Sequence, residues 1–201
     1  MTDKNASIMN IGSMGYLPQV FKKIENEKKL NIVYLGGSIT MGCNATKTEL
    51  RYVDRSAKWW QTNFPDAEIS YFNAGIGATT SQFGVARVQE HVLDKQPDLV
   101  FVEFSVNDSS SPLFMETYES LVRRLLKAES VKAVVLINNL FYDTGTNAQG
   151  IHNAIGLHYD LPIVSVRNYI FPEIQLGNVC LADYTADMLH PTDLGHKMIA
   201  D

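Results

Sequence analysis

Runs of apolar residues alternate along the chain with segments in which apolar positions recur at helical spacing. The runs are nearly continuous, which is typical of strands buried on both faces of a sheet. We predict strands at 31–36, 67–75, 98–105, 132–140 and 162–166. We predict helices at 48–64, 81–96, 115–128 and 147–161. This alternation predicts a three-layer α/β/α fold with a five-stranded parallel sheet in the flavodoxin-like order.

Length and charge narrow the class of protein. The chain has 201 residues and is 45% hydrophobic, which suits a single domain spanning residues 1–201. The net charge of −5 and the scattered basic residues predict no nucleic-acid partner.

The N-terminal segment has no long apolar run, so we expect neither a signal peptide nor a membrane span. The final segment begins like a helix and stops after about two turns, so we expect the parent protein to continue.

The two cysteines, Cys43 and Cys180, lie far apart and outside any CxxC or Cys/His pattern. We therefore expect no zinc site. Distant cysteines in a chain of this size favour free thiols in a reducing compartment, which predicts a cytoplasmic location.

Polar residues follow the predicted strands at the points where the strands end. Ser38 follows the first strand, Asn107 follows the third, and Asp187 and His190 lie in the loop before the last helix. Ligands of open α/β sheets bind outside the carboxyl ends of the strands. We therefore expect these side chains to gather at one edge of the sheet.

These residue types are the ones that serine hydrolysis requires. Ser38 supplies a hydroxyl, His190 is a base suited to neutral pH, and Asp187 is close enough in sequence to orient the imidazole. The side-chain amide of Asn107 can donate to an oxyanion. The backbone N–H groups of Ser38 and of the Gly77–Ala78 turn can donate as well.

Four short blocks occur in a fixed order. They are GGSIT at 36–40, NAGIGATTS at 73–81, SVND at 105–108 and DMLHP at 187–191. Together they resemble the SGNH hydrolases, the GDSL-type serine esterases, from residue 31 to residue 196. The resemblance implies that Ser38 is the nucleophile, that Asn107 belongs to the oxyanion hole, and that Asp187 and His190 complete the triad.

Two positions depart from the usual family pattern. Gly37 replaces the aspartate that normally precedes the serine, and Ala78 stands where the second block normally has its oxyanion glycine. A backbone donor does not need glycine, so either Gly77 or Ala78 can provide the N–H group.

The motif look-alikes of this chain are carbohydrate O-acetyl esterases. The resemblance therefore implies removal of short acyl groups, most simply acetyl, from a carbohydrate through an acyl-enzyme, with no metal or cofactor. A lysophospholipase, an acyl-thioester hydrolase and a catalytically silent sugar-binding module remain as alternatives. The glycine turn lacks both the P-loop and the dinucleotide-binding patterns, and Thr40 departs from the G-x-S-x-G elbow of ordinary α/β-hydrolases.

Other notable residues have structural interpretations. Glu103 lies inside a predicted buried strand, so we expect loop donors to satisfy its carboxylate, and Asp108 is expected to order the loop that follows. At least one of Trp59 and Trp60 should pack in the core. The remaining histidines are expected to be structural; they are His91, His152, His158 and His196. Phe141 and Tyr142 are open candidates for the wall of a substrate pocket.

Overall fold

A six-stranded sheet lies between two layers of helices in the computed structural model, which describes residues 4–12 and 15–201. The strands are β1 (Ile8–Asn10), β2 (Lys29–Gly36), β3 (Glu68–Gly75), β4 (Leu99–Glu103), β5 (Ala133–Asn138) and β6 (Ile163–Ser165). The α-helices are α1 (Leu17–Glu27), α2 (Ser38–Met41), α3 (Tyr52–Asn63), α4 (Ser81–His91), α5 (Pro112–Leu126), α6 (Gln149–His158), α7 (Val166–Gln175), α8 (Leu181–Tyr184) and α9 (Asp193–Ala200). Short 3₁₀ helices lie at Lys4–Ser7, Thr48–Leu50 and Leu93–Lys95.

The strand order is β1-β6-β5-β4-β2-β3. Strands β2 to β6 are parallel to one another and follow the predicted flavodoxin-like order, so the α/β/α class is confirmed. The prediction of five strands was wrong by one, because β1 pairs antiparallel with β6 at the edge. This strand has only three residues and none is fully buried, so it leaves no apolar run in the sequence.

The four predicted helices are present, but their bounds differ. The segment 48–64 is divided, because Arg51 is extended (φ −63°, ψ 147°) and α3 begins only at Tyr52. The first N–H of α3 is taken by a distant side chain, since Tyr52 N donates to Nδ1 of His196 at 3.3 Å. A helix start that is capped from 144 residues away cannot be read from local sequence.

The other helix boundaries also differ from the predicted ones. The segment 81–96 ends as α4 at His91, and α6 is shorter than 147–161. Helix α5 begins at Pro112 rather than at 115, because proline is favoured in the first helical turn. Four of the described helices were not predicted; they are α1, α2, α7 and α8.

Two apolar cores lie on opposite faces of the sheet. One face packs against α1, α3, α7 and α9, and its core includes Val20, Tyr52 and Ile170. The other face packs against α4, α5 and α6, and its core includes Val88, Leu121 and Ile155. Burial on both faces explains the continuous apolar strands. It also leaves the carboxyl ends of the parallel strands as the edge where polar loops meet.

Candidate active site

The carboxyl ends of the central strands lie side by side. Gly36 of β2 is in register with Gly75 of β3 and with Glu103 of β4. A side chain at Gly75 would collide with the backbone of Met41, so glycine is required for α2 to lie against the end of β3. The loops after these three strands therefore start from neighbouring positions, as the sequence predicts.

Ser38 is the first residue of the one-turn helix α2 and is almost buried. The turn is closed by backbone hydrogen bonds, since the N–H groups of Gly42 and Cys43 both donate to Ser38 O at 3.0 Å. Gly42 has a φ of 102°, a left-handed conformation that favours glycine. Asn73 holds the turn from the neighbouring strand, because its Nδ2 donates to Thr40 O at 2.8 Å.

The loop that carries Asp187 and His190 is held by its own polar groups. Oδ1 of Asp187 accepts the backbone N–H groups of Leu189, at 3.1 Å, and His190, at 2.7 Å. The hydroxyl of Thr185 donates to His190 O at 2.9 Å. From the strand side, Tyr142 N donates to Met188 O at 2.8 Å. These bonds fix the direction in which the imidazole points.

Ser38, His190 and Asp187 form one continuous chain of contacts. Nε2 of His190 lies 2.9 Å from Oγ of Ser38, and Nδ1 lies 2.7 Å from Oδ2 of Asp187. Partial burial works against ionisation of Asp187. Hydrogen bonds from the ring and backbone of His190 and from Leu189 N–H outweigh it and lower its pKa to about 2. Asp187 is therefore a carboxylate at neutral pH, suited to orienting the ring and to balancing positive charge on it.

Asn107 lies at the other side of the serine turn. A side chain at Gly37 would collide with Oδ1 of Asn107. The glycine that departs from the family pattern therefore leaves the space that Asn107 occupies. Gly37 φ is −88°, so this glycine serves close approach rather than a left-handed conformation.

The turn after β3 also borders Ser38. A Cβ added to Gly77 would lie 3.9 Å from Cβ of Ser38 and 3.4 Å from Cε of Met41. Ala78 has a φ of 57°, a left-handed conformation that is uncommon for alanine. The predicted donors Gly77 and Ala78 thus lie in a constrained turn next to the serine, and both remain candidates for the N–H group.

Glu103 is buried directly beneath the serine turn. Its Oε2 lies 3.3 Å from the hydroxyl of Thr40, which in turn lies 2.8 Å from the hydroxyl of Tyr52. Burial raises the pKa of Glu103 to about 7, although Asn139, Thr40 and the backbone N–H of Gly37 act in the opposite direction. The expectation that loop donors satisfy this carboxyl is met only for Oε2, because Oε1 is buried with no hydrogen-bond partner among the described residues.

Asp108 orders its loop as predicted, because its carboxylate accepts Ser81 N–H at 2.9 Å and contacts Nε2 of His152 at 3.0 Å. His196 is buried, and its Nε2 contacts Cys43 O at 2.9 Å, so it has a structural role. Trp60 packs in the core while Trp59 is exposed.

Sequence reasoning missed the residues that hold the Asp187–His190 loop in place. Thr185 and Tyr142 act through hydrogen bonds to backbone atoms, and no motif marks such contacts. Tyr142 is buried and so supports the loop through its backbone rather than lining a pocket. Thr185 also pairs with Pro191 in an isolated antiparallel bridge, which closes the loop.

Within residues 4–12 and 15–201, no group of three or more His, Cys, Asp or Glu side chains is arranged to hold a metal ion. In the same residues, no helix combines the length and the apolar character needed to cross a membrane.

Residues 34–198 match the GDSL-like lipase/acylhydrolase family. The chain belongs to this family. The match spans all four motif blocks and confirms the family to which they point. An acetylxylan esterase of Geobacillus stearothermophilus is 25% identical over 207 residues, which cover 89% of this chain and 93% of that protein.

Solved structures of other proteins also resemble this chain. A two-domain esterase active on acetylated mannans, co-crystallised with mannopentaose, is 46% identical with a TM-score of 0.96. The alignment covers 98% of this chain and 54% of that one, so this chain spans about half the length of the mannan esterase. An α/β hydrolase from the metagenome of Lake Arreo shares the fold, with a TM-score of 0.70 at 21% identity over 85% of this chain and 91% of that one.

Proposed function

We propose that this chain is a serine esterase that removes acetyl groups from a carbohydrate through an acyl-enzyme. The observation that carries the proposal is the contact chain from Ser38 Oγ through His190 to Asp187, with distances of 2.9 Å and 2.7 Å. A serine, an imidazole and a carboxylate in this order are the groups that activate a hydroxyl for attack on an ester.

The first half of the reaction forms the acyl-enzyme. Nε2 of His190 takes the proton of Ser38 as Oγ attacks the ester carbonyl, and Asp187 stabilises the resulting imidazolium. The tetrahedral oxyanion is held by the Asn107 amide and by backbone N–H groups of Ser38 and the Gly77–Ala78 turn. The bond from the carbonyl carbon to the sugar oxygen then breaks, the imidazolium gives its proton to that oxygen, the sugar leaves as a free hydroxyl, and the acetyl group remains on Ser38.

The second half returns the free enzyme. A water molecule gives one proton to His190 and attacks the acetyl carbonyl, and the same donors hold the second oxyanion. Collapse of this intermediate releases acetate, and the proton on His190 returns to Oγ of Ser38. Every step is performed by side chains and backbone groups of this chain.

Two relatives indicate which ester to test first. The 46% identical neighbour is active on acetylated mannans, and the 25% identical relative is an acetylxylan esterase. We therefore propose acetylated plant-type polysaccharides or their oligosaccharides as the substrate class, with acetylated mannan first. The experiment is acetate release from both polymers and their oligosaccharides, read by mass shift.

A pair of serine variants tests the nucleophile. Ser38→Ala should reduce kcat for acetate release by about 10⁴-fold or more, because the attacking hydroxyl is gone. Ser70→Ala is the matched control, since Ser70 is exposed near the start of β3 and its hydroxyl donates to Oδ1 of Asn31 at 3.1 Å. Unchanged acetate release by Ser38→Ala would show that the nucleophile is wrongly assigned.

Chain-length profiling separates the alternatives within the class. An acetyl esterase should prefer acetate over butyrate and longer model esters. Preference for long acyl chains or for acyl-thioesters would favour the lysophospholipase or thioesterase alternative. A native protein that binds acetylated oligosaccharides but releases no acetate would be a silent sugar-binding module.

We also propose a cytoplasmic location. Cys43 and Cys180 are free thiols, which supports a reducing compartment. Fractionation of the source cells followed by immunodetection tests this, and recovery of the protein outside the cytoplasmic fraction would contradict it.

A further inference from the structure

A buried arginine contacts the ends of both β2 and β3, and the mechanism above gives it no role. Arg87 lies on α4 and is 5% exposed. Its Nη2 donates to Gly36 O at 3.1 Å, and its Nη1 donates to Ala74 O at 2.7 Å. Gly36 lies two residues before Ser38, and Ala74 lies three residues before the Gly77–Ala78 turn.

The two carbonyls lie where the strand pairing ends. Gly36 and Gly75 form the last register pair of β2 and β3, and beyond it Ile76 N–H still reaches Gly36 O at 3.1 Å. Arg87 therefore bridges the two strands just before each continues into its own turn. A guanidinium is planar and presents its N–H groups in a fixed fork, so it sets the spacing of two acceptors more strictly than a lysine can.

The charge of Arg87 is not balanced by a carboxylate. Within the described parts of the chain, its polar contacts are the two carbonyls and Nδ1 of His91 at 3.2 Å, and it lies 5.7 Å from the ring centroid of Phe83. Burial lowers the pKa of Arg87 to about 10, which still leaves it protonated at neutral pH. A buried cation beneath the two turns favours negative charge that develops beside them, because water screens such charges poorly there.

We propose that Arg87 is a positioning residue for oxyanion stabilisation. It fixes the Ser38 turn relative to the Gly77–Ala78 turn through the carbonyls of Gly36 and Ala74. It also places an uncompensated positive charge behind their N–H donors. This inference rests on the proposed esterase function. It assigns a role in that function to a residue that lies outside the four motif blocks.

The first test compares two arginines that both bind backbone carbonyls. Arg87→Lys should lower kcat for acetate release by about 10–100-fold with KM within about twofold, since the donors matter most in the transition state. Arg124→Lys is the control, because exposed Arg124 donates to Val85 O at 3.0 Å from a different helix. A folded Arg87→Lys with wild-type kcat would overturn the proposal.

Chemical rescue separates positioning from simple stability. Arg87→Ala should regain part of its lost kcat when millimolar, non-denaturing guanidinium is added, whereas urea, a neutral molecule of similar shape, should restore less. Equal rescue by urea would overturn the charge component, and rescue by neither in a folded variant would overturn the assignment. If Arg87→Ala does not fold, Arg87→Lys decides the question alone.

Covalent labelling of Ser38 by a fluorophosphonate tests the role of Arg87 without requiring the natural substrate. Oγ of Ser38 bonds to phosphorus as fluoride leaves, and the rate is followed by intact mass. Arg87→Lys should react about 10–100-fold more slowly than the wild type, because the same donors hold the phosphoryl oxygen. A wild type that is labelled but releases no acetate would contradict the proposed substrate. The labelling rates of Arg87→Lys and the wild type would then still decide whether Arg87 has the proposed role. Equal labelling rates, or no labelling of the wild type, would overturn the inference.

Discussion

Two aspartate–histidine pairs in this molecule use the same side chains at similar distances. Asp187 Oδ2 lies 2.7 Å from His190 Nδ1, and Asp108 Oδ2 lies 3.0 Å from His152 Nε2. The first pair is partly exposed, with 24% of the His190 side chain and 46% of the Asp187 side chain accessible. The second pair is fully buried. The contact between the two residues is therefore not what distinguishes a candidate catalytic pair.

The difference lies in the second ring nitrogen. Nε2 of His190 faces the hydroxyl of Ser38 at the open edge of the sheet. Nδ1 of His152 is buried without a hydrogen-bond partner among the described residues, and its ring stacks on Tyr118 with centroids 3.6 Å apart. Burial also lowers the pKa of His152, although Asp108 acts in the opposite direction. An imidazole that neither meets a hydroxyl nor gains a proton readily serves packing rather than proton transfer.

The largest effect should follow removal of the exposed imidazole. His190→Ala should lower kcat by about 10⁴-fold, because no base remains to take the serine proton, and its melting temperature should change little. The measurement is acetate release together with a thermal unfolding curve. His158→Ala is the control, since His158 is an exposed histidine on α6. Retained activity in His190→Ala would remove the functional distinction between the two pairs.

Removing the imidazole of the buried pair should lower the stability of the fold rather than the activity. His152→Ala should cost about 3 kcal/mol of unfolding free energy, because it opens a cavity and leaves Asp108 buried without its partner. Chemical denaturation measures this loss, and kcat per folded molecule should remain within a few-fold of the wild type. A 10⁴-fold fall in kcat for folded His152→Ala would place the buried pair in the reaction.

The next largest effect should follow from filling the space between Gly37 and Asn107. Gly37→Ala should lower kcat by about 10–100-fold, because the new methyl group displaces the Asn107 side chain that we assign to the oxyanion. Gly150→Ala is the matched control, because a Cβ there meets nothing within 4 Å. Full activity of Gly37→Ala would show that the position of Asn107 is not critical.

The last prediction concerns the pH dependence of stability and a single buried carboxyl at the end of β4, Glu103. Its pKa is raised from 4.5 to about 7 on folding, so the folded state holds a proton that the unfolded state releases. Its contribution to stability is therefore complete below pH 4.5 and is lost as the pH rises through 7, by at most about 3 kcal/mol.

Glu103→Gln should remove this dependence. Relative to the wild type, its unfolding free energy should increase between pH 4.5 and 7, measured by denaturation at several pH values. Glu119→Gln is a control, since that carboxyl lies at the surface of α5 and bonds to Tyr159. Parallel pH curves for Glu103→Gln and the wild type would show that Glu103 does not change its ionisation on folding.

Much of the fold follows from local sequence. The central strands β2, β4 and β5 were predicted because burial on both faces requires nearly continuous apolar residues. Strand β3 lies at the edge of the sheet and is mostly exposed, although its sequence still contains apolar residues. Strand β1 was missed because three edge residues carry no such pattern. The start of α3 was misplaced because the N–H of Tyr52 is capped by His196 from the far end of the chain.

The candidate site divides in the same way. Ser38, Asn107, Asp187 and His190 were identifiable because each lies in a short block with a chemical reason for its residue types. Thr185 and Arg87 were not, since they act on backbone carbonyls that any residue could supply. No local pattern distinguishes such a side chain from an ordinary surface or core residue.

The sequence by itself determined the class of fold and the family, and it predicted the reacting groups, because periodicity and motif chemistry are local properties. Only the tertiary structure decided which histidine meets a hydroxyl, which glycine makes room for Asn107, and where the buried charge of Arg87 lies. These depend on contacts between residues that are tens to more than a hundred positions apart. Parallel strands bring such residues together at one edge, and the resulting distances and burial set the chemistry that each group can perform.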